Sequence, residues 1–322
     1  MLPVERIASA AIGLFQPLEA CLGIAGGGCK AFYALGVSHQ LVRWGVKIPE
    51  LSGVSAGSAM IFCLLSETEE STVEYFEEIT RRNDSNFKIS NLFFGEKVFP
   101  HESMYRRTVR FAMNWEKIKA SKSKIYIHSV KATPQVDENF KGKFVLAKLI
   151  AETAQAFTKD EKDRAAGIPC NRVQEILKKW NMTEILYTEK DLVSPAFLEQ
   201  IIMNSSCIPP VVSIQNVDNE YYLDGGLTNN LLLELFPKKL PKIGIYYEGT
   251  TLVGKSPAVL NDCFLIKPSE PLSITSFDYT NPAGVRAAYE LGKKDANHLK
   301  EDIISYIRKK QFFEFPNFSF FS

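Results

Sequence analysis

The sequence has no CxxC pair, and its six cysteines stand singly with no Cys/His spacing suited to zinc, so a metal centre of that kind is not encoded. Cys21, Cys29, Cys63, Cys170, Cys207 and Cys263 read instead as reduced, mostly buried small hydrophobes. An excess of charge of either sign is also missing. The 38 Lys plus Arg against 37 Asp plus Glu leave a formal +1, which provides no global field for nucleic acid or an acidic membrane. Apolar runs such as Met60 to Leu65 fall far short of the ~20 residues that cross a bilayer. The opening MLPVERIASAAIGLFQPLEA carries Glu5 and Arg6 early and only a short apolar stretch before Pro17, a poor secretory signal. There is no internal repeat. The expectation is a cytoplasmic or peripherally membrane-associated protein.

What is present is ordinary globular composition: 45% apolar and 23% charged residues are enough to fill a sizeable core and too hydrophobic for disorder. After a short N-terminal helix, LEACLGIA is a buried-strand type of run ending in Gly26, Gly27 and Gly28, and KAFYALGVSHQLVRWG then carries apolar residues at helical spacing. The design repeats at once, with a strand from Glu50 to Val54, Ser55, and a helix from Ala56 to Leu65. Helices are expected at Ser71 to Arg82, Ser103 to Asn114, Pro195 to Asn204 and Pro282 to Lys309. Strands are expected at Lys124 to Ala132, in the run ending YYLDGG, at Lys242 to Tyr247 and at Cys263 to Ile266. Alternation of this kind predicts an α/β fold, a mostly parallel central sheet between two helical layers. Residues 143–180 read as a helical insertion, two helices joined by the charged, proline-bearing linker TKDEKDRAAGIPCN. In the first of them Leu146, Leu149, Ile150 and Phe157 share one face, either core or lid, with Lys148, Glu152, Gln155 and Lys159 on the other.

Gly53-Val54-Ser55-Ala56-Gly57 matches the nucleophile-elbow pattern GxSxG, and it lies between a strand and a helix, where that pattern has mechanical meaning. The turn must be sharp to lift the serine hydroxyl above the sheet, and the helix that follows aims its N-terminal dipole at developing negative charge. The earlier loop Gly26-Gly27-Gly28-Cys29-Lys30-Ala31 offers backbone N–H groups with no side chains in front of them, which is what an oxyanion hole requires. As a dinucleotide fingerprint it lacks the acidic residue at the end of the second strand, where Ser55 stands. As a P-loop counted from Gly23 it fails because Cys29 separates Gly28 from Lys30.

A serine nucleophile needs a base. His39, His101, His128 and His298 are the histidines available, and none stands in an obvious loop after a late strand. Asp224 directly follows the strand-like YYL and precedes Gly225 and Gly226, a bend that presents a carboxylate at a strand end, although Asp-Gly is also a common turn. Ser55, Asp224 and His298 do follow the chain order of an α/β-hydrolase triad. That alternative stays open, as does a non-catalytic protein of the same fold.

The triple-glycine loop with a basic residue two places on, the GVSAGS elbow and the LDGG segment together resemble the patatin-like phospholipases and, more distantly, cytosolic phospholipase A2. SSCIPP and AGVRAAYELGKKDA are similar to further segments of that family, so the resemblance runs nearly the length of the chain. Ala31 departs from the glycine common after the basic residue, and the insertion at 143–180 is larger than a minimal member has. The resemblance implies one hydrolase domain over 1–322 and a Ser–Asp dyad. Ser55 is then the nucleophile, Asp224 its base and the Gly26, Gly27 and Gly28 amides the oxyanion hole, with no metal or organic cofactor. It implies a phospholipid or lysophospholipid substrate. Lys30 then meets a lipid phosphate or is a solvated helix residue. In the aromatic tail 311–322, Phe312, Phe313, Phe315, Phe318, Phe320 and Phe321 follow Arg308, Lys309 and Lys310, and either anchor the chain at a lipid interface or pack back onto the domain.

Overall fold

Strand β1 (Cys21–Ile24) alternates its side chains between two different cores. Leu22 and Ile24 enter one with the helices, while Cys21 and, just beyond the strand, Ala25 enter the other with Leu231, Leu233 and Phe236. A strand covered on both faces in this way belongs to the middle of a layered α/β structure. The computed structural model describes residues 17–89, 97–132, 141–217, 220–252 and 255–313. The expected N-terminal helix and nearly all of the aromatic tail lie outside them.

Beside β1 run β2 (Glu50–Val54) and then β3 (Lys124–Ala132), all parallel. The remaining strands are β4 (Met182–Thr188), β5 (Gln215–Val217), β6 (Glu220–Asp224), β7 (Lys242–Ile245) and β8 (Cys263–Ile266). The order is β5-β6-β3-β2-β1-β7-β8, with β4 also paired to β3. Strands β7 and β8 extend the parallel set, whereas β4 and β6 run antiparallel to β3 and β5 runs antiparallel to β6. The sheet is thus mixed, mostly parallel and flanked by helices, as the alternation of elements predicts.

Helices α1 (Ala31–Arg43), α2 (Ala56–Ser66), α3 (Glu69–Arg81) and α4 (His101–Ala112) follow, then a short α5 (Trp115–Ala120). Next come α6 (Lys141–Ala165), α7 (Arg172–Lys179), α8 (Pro195–Ser205), α9 (Pro257–Asn261), α10 (Pro282–His298) and α11 (Lys300–Phe313). The main core draws residues from Ala20 to Ile307, including the fully buried Tyr33 and Tyr289 of α1 and α10.

Two expectations need correction. The stretch TKDEKDRA is not linker: α6 continues through it, because its residues are good helix formers and nothing breaks the turn before Gly167, where φ is +72°, and Pro169. The helix expected over 282–309 is two, parted at Leu299. Strands β4 and β5 and helices α5 and α9 are not predicted by the sequence pattern. The side chains of β4 are mostly half-exposed or exposed, so its sequence lacks clean two-residue alternation. Helix α5 is only 6 residues long.

Candidate active site

Strand β2 ends at Val54, opposite His128 of β3, and the chain then turns at Ser55 with φ 53° and ψ −131°. Such backbone values are sparsely populated by a residue with a Cβ and cost of order 1–3 kcal/mol, so surrounding structure must impose them. Three contacts do so. The Ser55 N–H donates to Ser205 Oγ at 2.9 Å, and that hydroxyl donates to the His128 carbonyl at 2.6 Å, tying the elbow to β3. The Ser55 carbonyl accepts both the N–H of Ser58, at 2.9 Å, and its hydroxyl. Gly57 admits the neighbouring strand end, since a Cβ there would lie 2.4 Å from the Ile24 carbonyl oxygen. Ser55 occupies the N-cap position of α2 without capping it, so its hydroxyl is not spent on the helix.

Asp224 reaches the same point from the other direction. Strand β3 pairs with β4 along one edge from Tyr126 to Ala132. Its other edge is shared: Lys124 to His128 pair with β2, and Ser129 to Ala132 pair with β6. Strands β2 and β6 therefore approach head-on along one lane, and they stop at adjacent rungs, Val54 at His128 and Asp224 at Ser129. The Asp224 N–H donates to the Cys207 carbonyl at 2.9 Å, and Oδ1 accepts the Gly226 N–H at 2.6 Å. Oδ2 is buried and takes no fully formed hydrogen bond. Burial pushes the carboxyl up to about 6, and the neighbouring Ser55 hydroxyl and the Gly226 N–H hold it from rising further. Beneath the turn, the His128 ring bonds Thr228 Oγ1 at 2.7 Å through Nε2, and burial lowers its pKa below the ordinary histidine range.

The glycine loop behaves differently from its sequence expectation at one position. Gly26 donates its N–H to Asn230 Oδ1 at 2.9 Å, while Asn230 Nδ2 returns a bond to the Gly26 carbonyl at 3.2 Å. Its amide is therefore already used, which leaves the N–H groups of Gly27 and Gly28, for which no acceptor occurs among the described residues. Gly28 has φ +55°, and a Cβ there would stand 2.0 Å from the Ser276 carbonyl oxygen, so only glycine fits. Cys29 N–H bonds that same carbonyl at 2.9 Å. Asn230 and Ser205 were missed in the sequence. The signal for Asn230 is weak, an amide a few residues beyond LDGG, and nothing local marks Ser205 as a brace.

Ser55, Asp224, Gly27 and Gly28 all line one cavity of about 1160 Å³. Helix α6 walls it through Ile150, Thr153, Ala154, Phe157 and Thr158, so the insertion borders the site. Its apolar face is divided: Leu149 is fully buried in a small core with Val130, Val173 and Leu223, whereas Ile150 and Phe157 are half-buried at the cavity. The side chain of Leu146 lies outside the described residues. Lys30 lines the cavity and pairs with Glu248, and Lys255 lines it paired with Glu234 at 2.9 Å. His298, the third member of the alternative triad, is exposed at the end of α10 and does not line the cavity. Among the described residues no His, Cys, Asp and Glu cluster could hold a metal, and no helix is long and apolar enough to cross a membrane.

No curated protein matches the chain. Among solved structures it is similar to VipD from Legionella pneumophila, with a TM-score of 0.45 and 13% identity, the alignment covering 89% of this chain and 67% of that one. The family profile described as patatin-like phospholipase matches residues 22–237, a span that runs from β1 past the Asp224 turn and takes in the elbow, the glycine loop and the cavity wall formed by α6. Matched over well more than half its length, the chain belongs to the patatin-like phospholipase family.

Proposed function

We propose that the protein hydrolyses fatty-acyl esters of a phospholipid or lysophospholipid through a dyad of Ser55 and Asp224. The observation that carries this reading is the buried Oδ2 of Asp224, unpaired beside the Ser55 hydroxyl at the wall of a large, partly apolar cavity. An acceptor left without a full hydrogen bond in a buried site is costly, and its use as a proton acceptor is the compensating role.

In this mechanism Asp224 takes the Ser55 proton as Oγ bonds to the ester carbonyl carbon, and the carbonyl oxygen becomes the oxyanion. The amides of Gly27 and Gly28, together with the N-terminal end of α2, stabilise that charge. The tetrahedral intermediate collapses by breaking the bond to the alcohol oxygen, which leaves with the proton from Asp224, and Ser55 holds the acyl group. Water then gives its proton to Asp224 and attacks the acyl-enzyme. Collapse releases the fatty acid and returns the proton to Ser55. Lys30, near the oxyanion loop, is offered as a contact for a lipid phosphate once freed from Glu248.

Because the two dyad residues come from distant parts of one sheet, the whole chain is read as a single hydrolase domain carrying the insertion at 143–180. The test is a mixed panel of phospholipids, lysophospholipids and neutral lipids, with products followed by mass spectrometry. Fatty acid release by the wild type and none by Ser55→Ala is expected. Undiminished release by Ser55→Ala removes the proposal.

A further inference from the structure

We propose that the paired side chains of Lys255 and Glu234 select a zwitterionic phospholipid head group, with phosphate at Lys255 and ammonium at Glu234, for the ester presented to Ser55. The inference deepens the hydrolase reading and rests on it for the choice of a lipid ligand. Among the described residues the cavity wall carries two cations, Lys30 and Lys255. Each is already matched by a carboxylate that lines the same cavity, Glu248 and Glu234 respectively. Asp224 aside, the wall is charged yet neutral in sum.

Lys255, Glu234 and Asn229 form a closed ring of contacts. Lys255 Nζ donates to Glu234 Oε2 at 2.9 Å and to Asn229 Oδ1 at 2.5 Å, and Asn229 Nδ2 donates to Glu234 Oε1. Asn229 is the chain neighbour of Asn230, whose side chain holds the Gly26 backbone on both sides. Gly26 in turn sits against the nucleophile, since a Cβ there would lie 2.7 Å from the Cβ of Ser55. Two consecutive asparagines thus fix the ion pair relative to Ser55. Burial works against ionisation of Glu234, but the bond from Lys255 outweighs it and holds the carboxyl below its ordinary range, so both partners are charged.

Exposure orders these groups as a phospholipid orders its own. Ser55 is buried, the Lys255 side chain is 11% exposed and that of Glu234 38%. In a zwitterionic phospholipid the ester, the phosphate and the amine follow one another from the acyl chains outward. With the ester at Ser55, the phosphate meets the sheltered cation and the amine meets the more exposed carboxylate. The head group then replaces one ion pair by two, and no sheltered charge loses its partner. An anionic head group ending in a neutral alcohol takes Lys255 and strands Glu234, the costly outcome for a sheltered pair. Lys30 and Glu248 are more exposed, at 22% and 51%, so water screens them more and they discriminate less.

Titration calorimetry on the full Ser55→Ala chain, with monomeric dihexanoyl phosphatidylcholine and dihexanoyl phosphatidylglycerol, compares two head groups on identical acyl chains. The choline lipid is expected to bind at least about tenfold tighter. Adding Glu234→Gln removes the carboxylate and leaves Lys255 free for phosphate, so the preference collapses or reverses through a gain for the glycerol lipid. Equal affinities in the Ser55→Ala chain overturn the proposal, as does failure to bind either lipid. So does a Glu234→Gln chain that keeps the preference, or that loses affinity for both lipids in parallel, the mark of a structural brace. Free phosphocholine is expected to bind at least about tenfold more weakly than the choline lipid, for want of acyl chains. Equal or tighter binding makes the cavity a site for the soluble zwitterion and overturns the lipid assignment. A wild-type chain that binds the choline lipid with the expected preference but releases no fatty acid strikes the hydrolase reading alone.

Discussion

Val54 and Asp224 end two opposed strands on adjacent rungs of one edge of β3, at His128 and Ser129. The Ser55 hydroxyl and the Asp224 carboxyl are thus brought together by the register of the sheet. Their own attraction is not required, and substitutions in the pair should leave the fold standing.

The first prediction concerns pH and rate. Asp224 is buried, its carboxyl is pushed up to about 6, and a carboxyl in the proposed role of base works only when ionised. The logarithm of kcat/KM on a soluble ester is expected to rise with unit slope below about pH 6 and to level above it. A profile already flat at pH 4.5 contradicts the assignment. Ser55→Ala and Asp224→Asn should each lower kcat by about 10⁴-fold, on the scale of other serine hydrolases.

Stability should move oppositely to rate. A carboxyl raised in the folded state above its ordinary 3.8 binds protons more tightly folded than unfolded, so its contribution is full below the unfolded value and is lost as pH rises through about 6. The loss amounts to roughly 3 kcal/mol at most. Asp224→Asn carries no such charge and should raise Tm relative to wild type more at pH 8 than at pH 4. Equal differences at the two pH values would refute this.

Ser205→Ala removes the hydroxyl between the Ser55 N–H and the His128 carbonyl, and leaves a buried donor and a buried acceptor. A stability loss of about 1–3 kcal/mol in denaturant unfolding is expected. The elbow relaxes with it, so kcat should fall while KM changes little.

Asn230→Ala unties the Gly26 backbone on both sides. A small displacement of oxyanion donors is expensive, and kcat should drop roughly 10- to 100-fold with a parallel slowing of fluorophosphonate labelling at Ser55. Labelling at the wild-type rate would show that Asn230 does not position the loop.

His298→Ala distinguishes the dyad from a triad. The side chain is exposed and away from the cavity. Esterase activity within about twofold of wild type is expected, and a loss matching that of Ser55→Ala would replace the dyad mechanism.

The amino-acid sequence by itself determined the local machinery: the strand, elbow and helix around Ser55, the glycine loop, and a carboxylate at a strand end. Each is dictated by neighbours a few positions away, since small residues permit the sharp turn and apolar runs build the strands that lead to it. It determined the α/β class for the same reason. Periodicity misjudged TKDEKDRA, where charge resembled a linker but helix propensity prevailed, and it passed over β4, whose pairing with β3 is non-local. The tertiary structure decided which groups meet. Gly26 and Asn230 are 204 positions apart, and Ser55 and Ser205 are 150. No local signal shows that one glycine amide is already occupied while two are free. Nor does the sequence show that Ile150 borders the cavity while Leu149 is buried. Hydrogen-bond partners and solvent exposure at a site belong to the register of β3 and the packing around it, and those exist only once the chain has closed on itself.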